Sequence, residues 1–414
     1  MGQLRASTIS HPLQSVGRYA KAWLESFGST GRRYAPLTAR RLLFLLLFPL
    51  FLLVVALNGL CLLLDRLLYP SLTQVIIKNP VFVVGVPRSG TTYLHRALAK
   101  DEAFTTASTW QVALAPSVFQ RRLVKLLASI DDQLGSPLRS LLAWMVRDGA
   151  ASMTDVHAIG LEDAEEDYLL LLSAAGCFFA SLAFPANRYF RSLAHIEDLP
   201  KNERDALLDR YHRLLQRQCF DAPDKQFLSK NAAFASWVPY LAERYPDALF
   251  IVCVRDPADA LDSQLSSLAS ARRLFSSFPD ETVFREDFKA HYQRWFEDLS
   301  TACRDSTIRS IVVEQEWMRD HPHALMDLLY SHLERPVPQA ACAHREPSAH
   351  GEPSAHGEPS ANRKPSTNHQ SSMPVKNQTS LEQVTSDPKT SSAYDDLRQR
   401  ALFYSAEDAR ALHA

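Results

Sequence analysis

The hydrophobic pattern of this chain begins with a long uncharged stretch near the N-terminus. Residues 42–64 form 23 consecutive positions without a charge, mostly Leu, Phe and Val. At about 1.5 Å of rise per residue, a helix of this length covers the ~30 Å hydrocarbon core of a bilayer. The stretch is too long, and lies too far into the chain, for a cleaved signal peptide. We expect a single-pass membrane helix, although Pro49 and Asn58 also fit a buried core helix or a monotopic segment.

The arm before this stretch is basic. Residues 1–41 carry seven Lys and Arg residues against the single acid Glu25, a net charge of +6. The positive-inside rule would place this arm in the cytoplasm and the rest of the chain across the membrane. The charges that follow the stretch, Asp65 and Arg66, cancel each other and add no preference. The side of the membrane that the main domain occupies therefore stays open.

Beyond residue 75 the pattern changes to short apolar runs separated by amphipathic segments. The runs at 75–77 with 81–84, at 249–254 and at 311–313 are rich in β-branched residues and predict buried parallel strands. Apolar residues at three- and four-residue spacing predict the helices near 91–100, 203–219, 283–299 and 324–333. Strands that alternate with helices predict an α/β domain over 75–338, with a P-loop-like parallel sheet flanked by helices.

A low-complexity segment follows the predicted domain. Four hexapeptides in tandem begin at Glu346, and a Ser/Thr/Gln-rich stretch continues to residue 392. A segment so poor in large apolar residues cannot offset an ordering cost of ~1–2 kcal/mol per residue, so 342–392 is predicted to be disordered. His350 and His356 recur with the repeat, which indicates repeat expansion more than metal binding. Residues 393–414 regain helical character and are predicted to form a C-terminal helix.

Charge and cysteine content disfavour several classes of protein. The chain has 414 residues, and its 45 Lys and Arg balance 46 Asp and Glu. A net charge of -1 gives no general attraction to a polyanion, so no nucleic-acid partner is expected. The six Cys residues show neither a CxxC pair nor Cys/His ligand spacing. A disulfide scaffold and a zinc module are therefore disfavoured, and no metal is expected.

One glycine-bracketed loop carries the strongest chemical signal in the sequence. Glycine is scarce, with 13 in the chain, yet Gly85 and Gly90 enclose a short loop between the strand at 81–84 and the helix at 91–100. Such a loop directs backbone N–H groups and the positive end of a helix dipole at one point, which favours a phosphate or a sulfate. We therefore expect an anion site at this loop.

The same glycine spacing occurs in the Walker A loop of nucleotide triphosphatases. That loop requires Lys directly after the second glycine to reach the β- and γ-phosphates, whereas this chain has Thr91 there. The cation is instead Arg88, inside the loop, which can hold an anion through two hydrogen bonds. An ATPase or kinase is disfavoured but stays an alternative, as does a loop that binds nothing.

Two motifs together resemble a known family. Residues 87–92 read PRSGTT, which is similar to the 5'-phosphosulfate loop of the sulfotransferases that use 3'-phosphoadenosine 5'-phosphosulfate (PAPS). Arg255 ends an apolar run and Ser263 follows eight residues later, which resembles the 3'-phosphate motif of that family. Lys230 is a further match, although the usual Lys-Ser-Pro does not continue after it. The resemblance covers about residues 75–338 and implies a PAPS-dependent sulfotransferase.

The resemblance also implies which residues hold the donor. PAPS carries anionic groups at two ends, and the carboxyl ends of parallel strands meet along one crevice. Loops after two different strands can therefore each hold one end, with Arg255 and Ser263 at the 3'-phosphate. The implied donor-binding residues are Pro87, Arg88, Ser89, Gly90, Thr91, Thr92, Lys230, Arg255 and Ser263.

Transfer to a hydroxyl also requires a residue that removes the proton of the acceptor. The segment 155–167 resembles the stretch of this branch in which a His precedes a Glu-Glu-Asp cluster. It offers Glu166 and His157 as candidate catalytic bases, with Glu165 behind them. Arg88 would be the catalytic residue that stabilises charge on the leaving phosphate, because its guanidinium stays protonated.

These inferences combine into one functional hypothesis. The chain would move sulfonate from PAPS, without a metal, to a hydroxyl of a lipid or glycan acceptor. The membrane segment favours an acceptor held at a membrane. The alternatives are a P-loop NTPase or kinase and a catalytically inactive nucleotide-binding scaffold. Stabilisation by adenosine 3',5'-bisphosphate, as opposed to ATP with magnesium, would separate the first hypothesis from the kinase alternative.

Overall fold

A parallel five-stranded sheet lies at the centre of the structure. The computed structural model describes residues 2–137, 140, 163–338 and 388–401. The sheet order is β2-β3-β1-β4-β5, and every neighbouring pair is parallel. This confirms the predicted α/β fold. The strands are β1 (Val81–Gly85), β2 (Phe104–Thr105), β3 (Gln226–Asn231), β4 (Leu249–Val254) and β5 (Ser310–Glu314).

Helices precede the sheet and separate each strand from the next along the chain. In chain order they are α1 (Gly2–Glu25), α2 (Ser29–Tyr34), α3 (Ala39–Leu68), α4 (Thr91–Leu98), α5 (Thr109–Leu114), α6 (Val118–Gln133), α7 (Ala180–Ala183), α8 (Arg188–Ser192), α9 (Lys201–Phe220), α10 (Val238–Arg244), α11 (Pro257–Phe275), α12 (Glu281–Arg304), α13 (Gln315–Asp320), α14 (Pro322–His332) and α15 (Pro388–Ala401). Short 3-10 helices lie at Pro70–Gln74, Asp167–Ala174, Ile196–Asp198 and Ala235–Trp237.

The two central strands, β1 and β4, are covered on both faces. Residues 81–84 are 0% exposed, and no residue of β4 is more than 2% exposed. Phe82 stacks on Phe250 of the neighbouring strand, with ring centroids 5.3 Å apart. Uninterrupted apolar strands of this kind are typical of sheets with helices on each face. The carboxyl ends of β3, β1 and β4 therefore open side by side at one edge of a buried sheet.

The structure differs from the sequence prediction at the first strand and at two others. Residues 75–77 do not join β1, because Ile76 is 74% exposed and Pro80 separates the segment from the strand. The apolar pattern does not predict β3, because the second half of this buried strand is polar. Strand β2, with two residues, is too short to leave a pattern.

The apolar N-terminal stretch forms α3, a 30-residue helix that is long and apolar enough to span a membrane. It extends beyond the predicted 42–64 at both ends. One face of α3 packs against α1, α6, α11 and the 3-10 helix Asp167–Ala174. Leucines of the other face are exposed. The helix is therefore membrane-like in composition and also part of the folded body.

The C-terminal helix α15 packs against α12 and β5. Leu397 is fully buried, and the Tyr394 hydroxyl donates to the Glu314 carboxylate at 3.1 Å. The helix begins at Pro388, earlier than the predicted start at 393 and inside the segment predicted to be disordered. The rest of these two predicted segments, 342–387 and 402–414, lies outside the described residues.

Candidate active site

The loop that joins β1 to α4 depends on its two glycines. A Cβ atom at Gly85 would lie 2.3 Å from the backbone oxygen of Cys253 on β4. Gly90 has a φ of 88°, in the left-handed region, and a Cβ atom there would lie 2.4 Å from the Met318 side chain. Glycine is needed at both positions, because any side chain would displace β4 or strain the turn. The bracketing glycines of the sequence thus set the shape of this loop.

The other loop residues divide into those that hold its shape and those that face solvent. The buried hydroxyl of Ser89 donates to the Val86 carbonyl at 2.7 Å, so it closes the loop. Arg88 has a φ of 70° and an exposed side chain. Thr91 and Thr92 begin α4, where the first N–H groups have no acceptor within the helix. The loop therefore presents a guanidinium and a helix N-terminus, a combination that suits an anion.

Two arginines and a serine from distant parts of the chain meet beside this loop. Arg88 Nε donates to Ser263 Oγ at 2.9 Å. Arg255 Nη1 donates to the carbonyl of Arg88 at 3.4 Å, and its Nη2 lies 3.8 Å from the Asp259 carboxylate. The sequence hypothesis places Arg88 and Arg255 at two ends of one donor. In the structure they are in direct contact, because β1 and β4 are neighbours in the sheet.

A buried tyrosine that the sequence hypothesis did not identify holds the loop through a hydrogen bond. The hydroxyl of Tyr292 on α12 donates to the Pro87 carbonyl at 2.8 Å and lies 3.3 Å from the Ala260 carbonyl. Burial raises the pKa of Tyr292 well above its usual 10, so the hydroxyl remains a neutral donor. Tyr292 therefore ties α12 to both the loop and α11, yet in the sequence it is one of many aromatic residues with helical spacing.

The third cation of the site comes from the end of β3. Lys230 is 5% exposed, and its Nζ lies 2.7 Å from Oε1 of Glu166. Glu166 is the N-cap residue of the 3-10 helix Asp167–Ala174 and lines the cavity beside the loop. Strand β3 lies on the opposite side of β1 from β4. The cations Lys230, Arg88 and Arg255 therefore come from three adjacent strand ends.

A buried aspartate fixes the backbone around Lys230 and Glu166. Oδ1 of Asp167 accepts hydrogen bonds from Ser229 Oγ at 2.9 Å, Lys230 N at 3.0 Å and Asn231 Nδ2 at 2.9 Å. The hydroxyl of Tyr211 donates to Oδ2. Burial raises the pKa of Asp167 to about 6, against the lowering effect of these donors. In the sequence, Asp167 is one of several acidic residues in a cluster, and nothing there distinguishes it from Glu165 and Glu166.

The cavity at this edge of the sheet has a volume of about 370 Å³, within the ~300–1,000 Å³ range of small-molecule sites. Its polar lining comes from the loop, Glu166, Arg255 and Gln315. Its apolar lining, which we call the apolar wall, consists of Phe178, Phe179, Leu268, Phe288 and Trp295. The arrangement can hold an anionic group next to an apolar one.

The remaining candidate bases lie apart from the cavity or beyond the described residues. A carboxylate oxygen of Glu165 accepts a hydrogen bond from the backbone N–H of Glu166 at 2.9 Å, and Glu165 does not line the cavity. His157 lies outside the described residues. It stays a prediction from the sequence, whereas Glu166 is placed in the cavity by the structure.

Among the described residues, one group has the composition and spacing of a metal site. Nδ1 of the buried His195 lies 3.9 Å from Oε1 of Glu197 and 3.7 Å from Oδ2 of Asp298. Arg294 already neutralises Glu197 at 2.6 Å, and the His195 ring lies against Trp295 with centroids 5.8 Å apart. The group therefore lies behind the apolar wall, where it supports Trp295.

Comparison with known proteins places these features in one family. The model of the sulfotransferase family matches residues 80–339. Omega-hydroxy-beta-dihydromenaquinone-9 sulfotransferases from Mycobacterium bovis and Mycobacterium tuberculosis are 27% identical to this chain over 186 residues. That match covers 44% of this chain and 43% of each relative, so it spans less than half the length of these relatives.

Two crystal structures of mycobacterial sulfotransferases share the fold. Sulfotransferase STF1 from Mycobacterium tuberculosis has a TM-score of 0.59 at 19% identity, over 83% of this chain and 91% of that chain. Sulfotransferase STF9 from Mycobacterium avium has a TM-score of 0.52 at 18% identity, over 70% of this chain and 71% of that chain. At this level of identity the likeness establishes the fold.

Proposed function

The chain belongs to the sulfotransferase family, and we propose that it transfers sulfonate from PAPS to a hydroxyl group of a lipid or glycan acceptor, with a lipid favoured. The observation that carries the proposal is that Arg88, Arg255 and Glu166 line one cavity beside the glycine-bracketed loop, with Lys230 paired to Glu166. Three cations and a helix N-terminus at one edge of a parallel sheet suit a donor with several anionic groups.

The donor would bind along the ends of β1 and β4. Its 5'-phosphosulfate would lie against the first turn of α4 and the guanidinium of Arg88. Arg255 and Ser263 would hold the 3'-phosphate, as the family resemblance implies. Because Arg88 already donates to Ser263, the two halves of the donor site are assembled before the donor arrives. Such preorganisation lowers the cost of ordering these side chains on binding.

The proposed step exchanges one sulfur–oxygen bond for another. The bond between sulfur and the bridging oxygen of the 5'-phosphate breaks, and a bond between sulfur and the acceptor oxygen forms in line with it. The products are a sulfate ester and adenosine 3',5'-bisphosphate. Negative charge develops on the bridging oxygen as its bond breaks. Arg88 and Lys230 are the cations placed to stabilise that charge.

The acceptor hydroxyl must also lose its proton, and we assign this proton to Glu166. Glu166 lines the same cavity as Arg88, Arg255 and the apolar wall, and Lys230 pairs with its Oε1. A carboxylate positioned within hydrogen-bond reach of a hydroxyl typically contributes about 10²- to 10⁴-fold to the rate. His157 stays the second candidate for this role.

The apolar wall favours a lipid over a glycan as the acceptor. Phe178, Phe179, Phe288 and Trp295 give the cavity that Glu166 lines a large apolar surface. The hydroxyl groups of a sugar would find no hydrogen-bond partners on this surface. The mycobacterial relatives are named for a menaquinone derivative, which supports the same chemical class. A membrane location follows from such an acceptor, and the sequence predicts a single-pass attachment through α3.

Ligand binding and label transfer test this proposal on the full chain. We expect the melting temperature to rise strongly with adenosine 3',5'-bisphosphate and to change little with ATP and magnesium. We also expect ³⁵S from labelled PAPS to enter a hydroxyl-terminated isoprenoid quinone and not a soluble sugar. Stabilisation by ATP with magnesium alone would overturn the donor assignment, and label in the sugar alone would overturn the acceptor class.

A further inference from the structure

The outward face of α3 is an unusually long apolar surface. Its exposed members are 43% to 74% accessible and recur at three- and four-residue spacing on one side of the helix. Over residues 42–60 they extend ~27 Å along the helix axis. We call this surface the leucine face; it consists of Leu42, Leu43, Leu46, Leu47, Leu50, Leu53, Val54, Leu57 and Leu60. Contiguous apolar surface of this extent is uncommon on proteins that face only water.

The inward face of the same helix carries two of its charged residues, Arg41 and Asp65. Near the start of α3, Arg41 is 1% exposed. Its Nη1 donates to the carbonyls of Ala183 at 2.7 Å and Phe275 at 3.3 Å, and its Nη2 donates to Ser26 Oγ at 3.0 Å. These bonds connect the helix to α7, to α11 and to the turn after α1. The first turn of α3 is therefore held inside the folded body.

The far end of α3 is held in the same way. Asp65 is fully buried, and its carboxylate accepts from the backbone N–H groups of Val118 at 3.1 Å and Phe119 at 2.9 Å. It also pairs with Arg217 Nε at 2.7 Å. A buried carboxylate and guanidinium are costly to separate, because each would be left without its partner. The last turns of α3 are therefore bound to α6 and α9.

Further hydrogen bonds join the middle of α3 to the body. Trp23 Nε1 donates to the Leu45 carbonyl at 2.8 Å, and Gln120 Nε2 donates to Asn58 Oδ1 at 2.7 Å. A helix held to a water-exposed domain at its start, middle and end cannot cross a bilayer unless that domain enters the hydrocarbon too. The charged body of this domain makes such an entry prohibitive.

We infer that α3 lies along the surface of one membrane leaflet, with the leucine face in the lipid and the helix axis near the membrane plane. The attachment would be monotopic, where the sequence alone predicts a single pass. A long helix with an uncharged apolar face outward and with Arg41, Asn58 and Asp65 buried inward suits this position, since the hydrocarbon would meet only apolar side chains.

The charges around the leucine face suit an anionic phospholipid surface. Exposed cations cluster beside its N-terminal end, where Arg40 donates to the Arg273 carbonyl at 3.2 Å. Arg32 and Arg33 of the preceding helix are also exposed. Residues 42–64 themselves carry no charge. A basic rim next to an apolar face is attracted to negatively charged lipid headgroups.

Helix α6 enlarges the apolar surface beside α3, against which it packs. Its exposed side includes Leu123, Leu126, Leu127 and Ile130, each between 41% and 56% accessible. Leu123, Leu127 and Ile130 follow one side of the helix at i, i+4 and i+7. Two packed helices that both expose apolar side chains offer a larger apolar area than α3 alone, which suits a lipid surface.

An apolar stripe on α11 leads from the cavity to α3. Leu268 lines the cavity, and Ala271 and Phe275 follow it at i+3 and i+7, all partly buried. The Phe275 ring contacts Phe44 of α3 with centroids 5.0 Å apart. The stripe spans only ~10 Å along the helix. Attachment through α3 would therefore bring the cavity next to the lipid surface, and the stripe would guide the apolar part of an acceptor; this last step rests on the proposed function.

Vesicle binding by the full chain tests the attachment without any activity readout. Vesicles of phosphatidylcholine with phosphatidylglycerol should bring the wild-type protein to the top of a flotation gradient. The triple variant L46E/L50E/L53E should bind at least about tenfold less, because each leucine that enters the lipid adds to the free energy of membrane binding. V283E, at an exposed apolar position on α12, is the matched control and should bind as the wild type does. Stabilisation by adenosine 3',5'-bisphosphate should be the same for all three proteins.

Absence of vesicle binding by the wild-type chain would overturn the attachment. If the wild-type chain does not bind vesicles and the triple variant only converts a dimer to a monomer, the leucine face is a dimer interface and the attachment is overturned too. Binding that the triple variant retains would overturn it as well. If vesicle binding behaves as expected but the bisphosphate does not stabilise the chain, the attachment stands and the proposed function fails. The two hypotheses are therefore separable.

Cysteine accessibility separates a helix on the membrane from one across it. Thr30→Cys and Ser71→Cys place exposed thiols beyond the two ends of α3, in a chain with Cys61 and Cys342 changed to Ser. In sealed membranes from expressing cells, a membrane-impermeant maleimide should label both positions alike, either before detergent or only after it. Labelling of one position before detergent and of the other only after it would establish a spanning helix and overturn the inference.

Discussion

The crevice at the edge of the sheet and the helix α3 distribute charge in opposite ways. In the crevice, Arg88 and Arg255 stand at the ends of strands whose side chains are almost entirely buried and apolar. In α3, Arg41 and Asp65 point inward and the leucines point outward. The first arrangement leaves cations at the ends of buried strands, which suits an anionic ligand. The second arrangement is the opposite of the surface of a water-soluble protein, which places charges outside and apolar side chains inside. It suits a helix whose outer face contacts lipid.

The cost of burying charge is handled differently in the two regions. Around α3 each buried charge has a fixed protein partner, so the charges serve to hold the helix. At the crevice, Glu166 is paired with Lys230 but also lines a cavity, where a substrate can contact it. The comparison predicts that substitutions in the crevice reduce turnover more than stability, and that substitutions under α3 do the reverse.

The largest expected effect is the loss of turnover in Glu166→Gln. The amide keeps the shape of the side chain and can still contact Lys230, but it cannot take the proton of the acceptor. We expect kcat to fall by about 10²- to 10⁴-fold with little change in melting temperature. Steady-state transfer of ³⁵S measures this. Glu165→Gln is the matched control one residue away, and a similar fall there would remove the special role of Glu166.

The next effect belongs to the other region. Asp65→Ala leaves Arg217 buried without its carboxylate, so we expect the free energy of unfolding to fall by about 3–5 kcal/mol. Denaturant titration in a mild detergent measures the change. Asp224→Ala, at an exposed position, should change it by less than about 0.5 kcal/mol. A small effect of Asp65→Ala would show that α3 is not held as firmly as its hydrogen bonds indicate.

Arg88→Ala should lower kcat/KM by about 10²- to 10³-fold, because one preorganised donor to the developing charge is removed. The side chain is exposed, so the melting temperature without ligand should hardly move. Arg309→Ala, at an exposed position before β5 and at the opposite edge of the sheet, is the control. Arg88→Lys should recover only part of the activity, since Lys has no planar pair of donors. Full activity of Arg88→Ala would contradict the donor site.

The smallest effect is a pH dependence of stability due to Asp167. Its pKa rises from 3.8 to about 6 on folding, so the folded chain holds this proton where the unfolded chain has lost it. This contribution to stability is fully present below pH 4 and is lost as the pH rises to 6. The pKa difference corresponds to roughly 3 kcal/mol at most. In Asp167→Asn this component should be missing, so its stability relative to wild type should increase from pH 4 to pH 6 in denaturant titrations. A constant difference over that range would contradict the assignment.

Most of the sheet and the loop could be predicted from the sequence, because their signals are local. Continuous apolar runs predict β1, β4 and β5, and Gly85 and Gly90 mark the turn that follows β1. Strand β3 was not predicted, because Ser229 and Lys230 are polar. They can be buried only because Asp167 and Glu166 pair with them. The roles of Asp167 and Tyr292 were not predicted either, because they depend on backbone groups far away in the chain.

By itself the sequence determined that this chain has a glycine-bracketed loop, of a kind that suits an anion, after a buried strand, and a helix apolar enough for lipid. Both follow from composition and spacing within a few turns of chain. Only the tertiary structure decided that Arg88 meets Ser263 and that Asp65 meets Arg217, because sheet order and helix packing choose partners more than 150 residues apart. It also decided which side of α3 faces outward, since a helix apolar on nearly all sides does not distinguish its faces until a body packs against one of them.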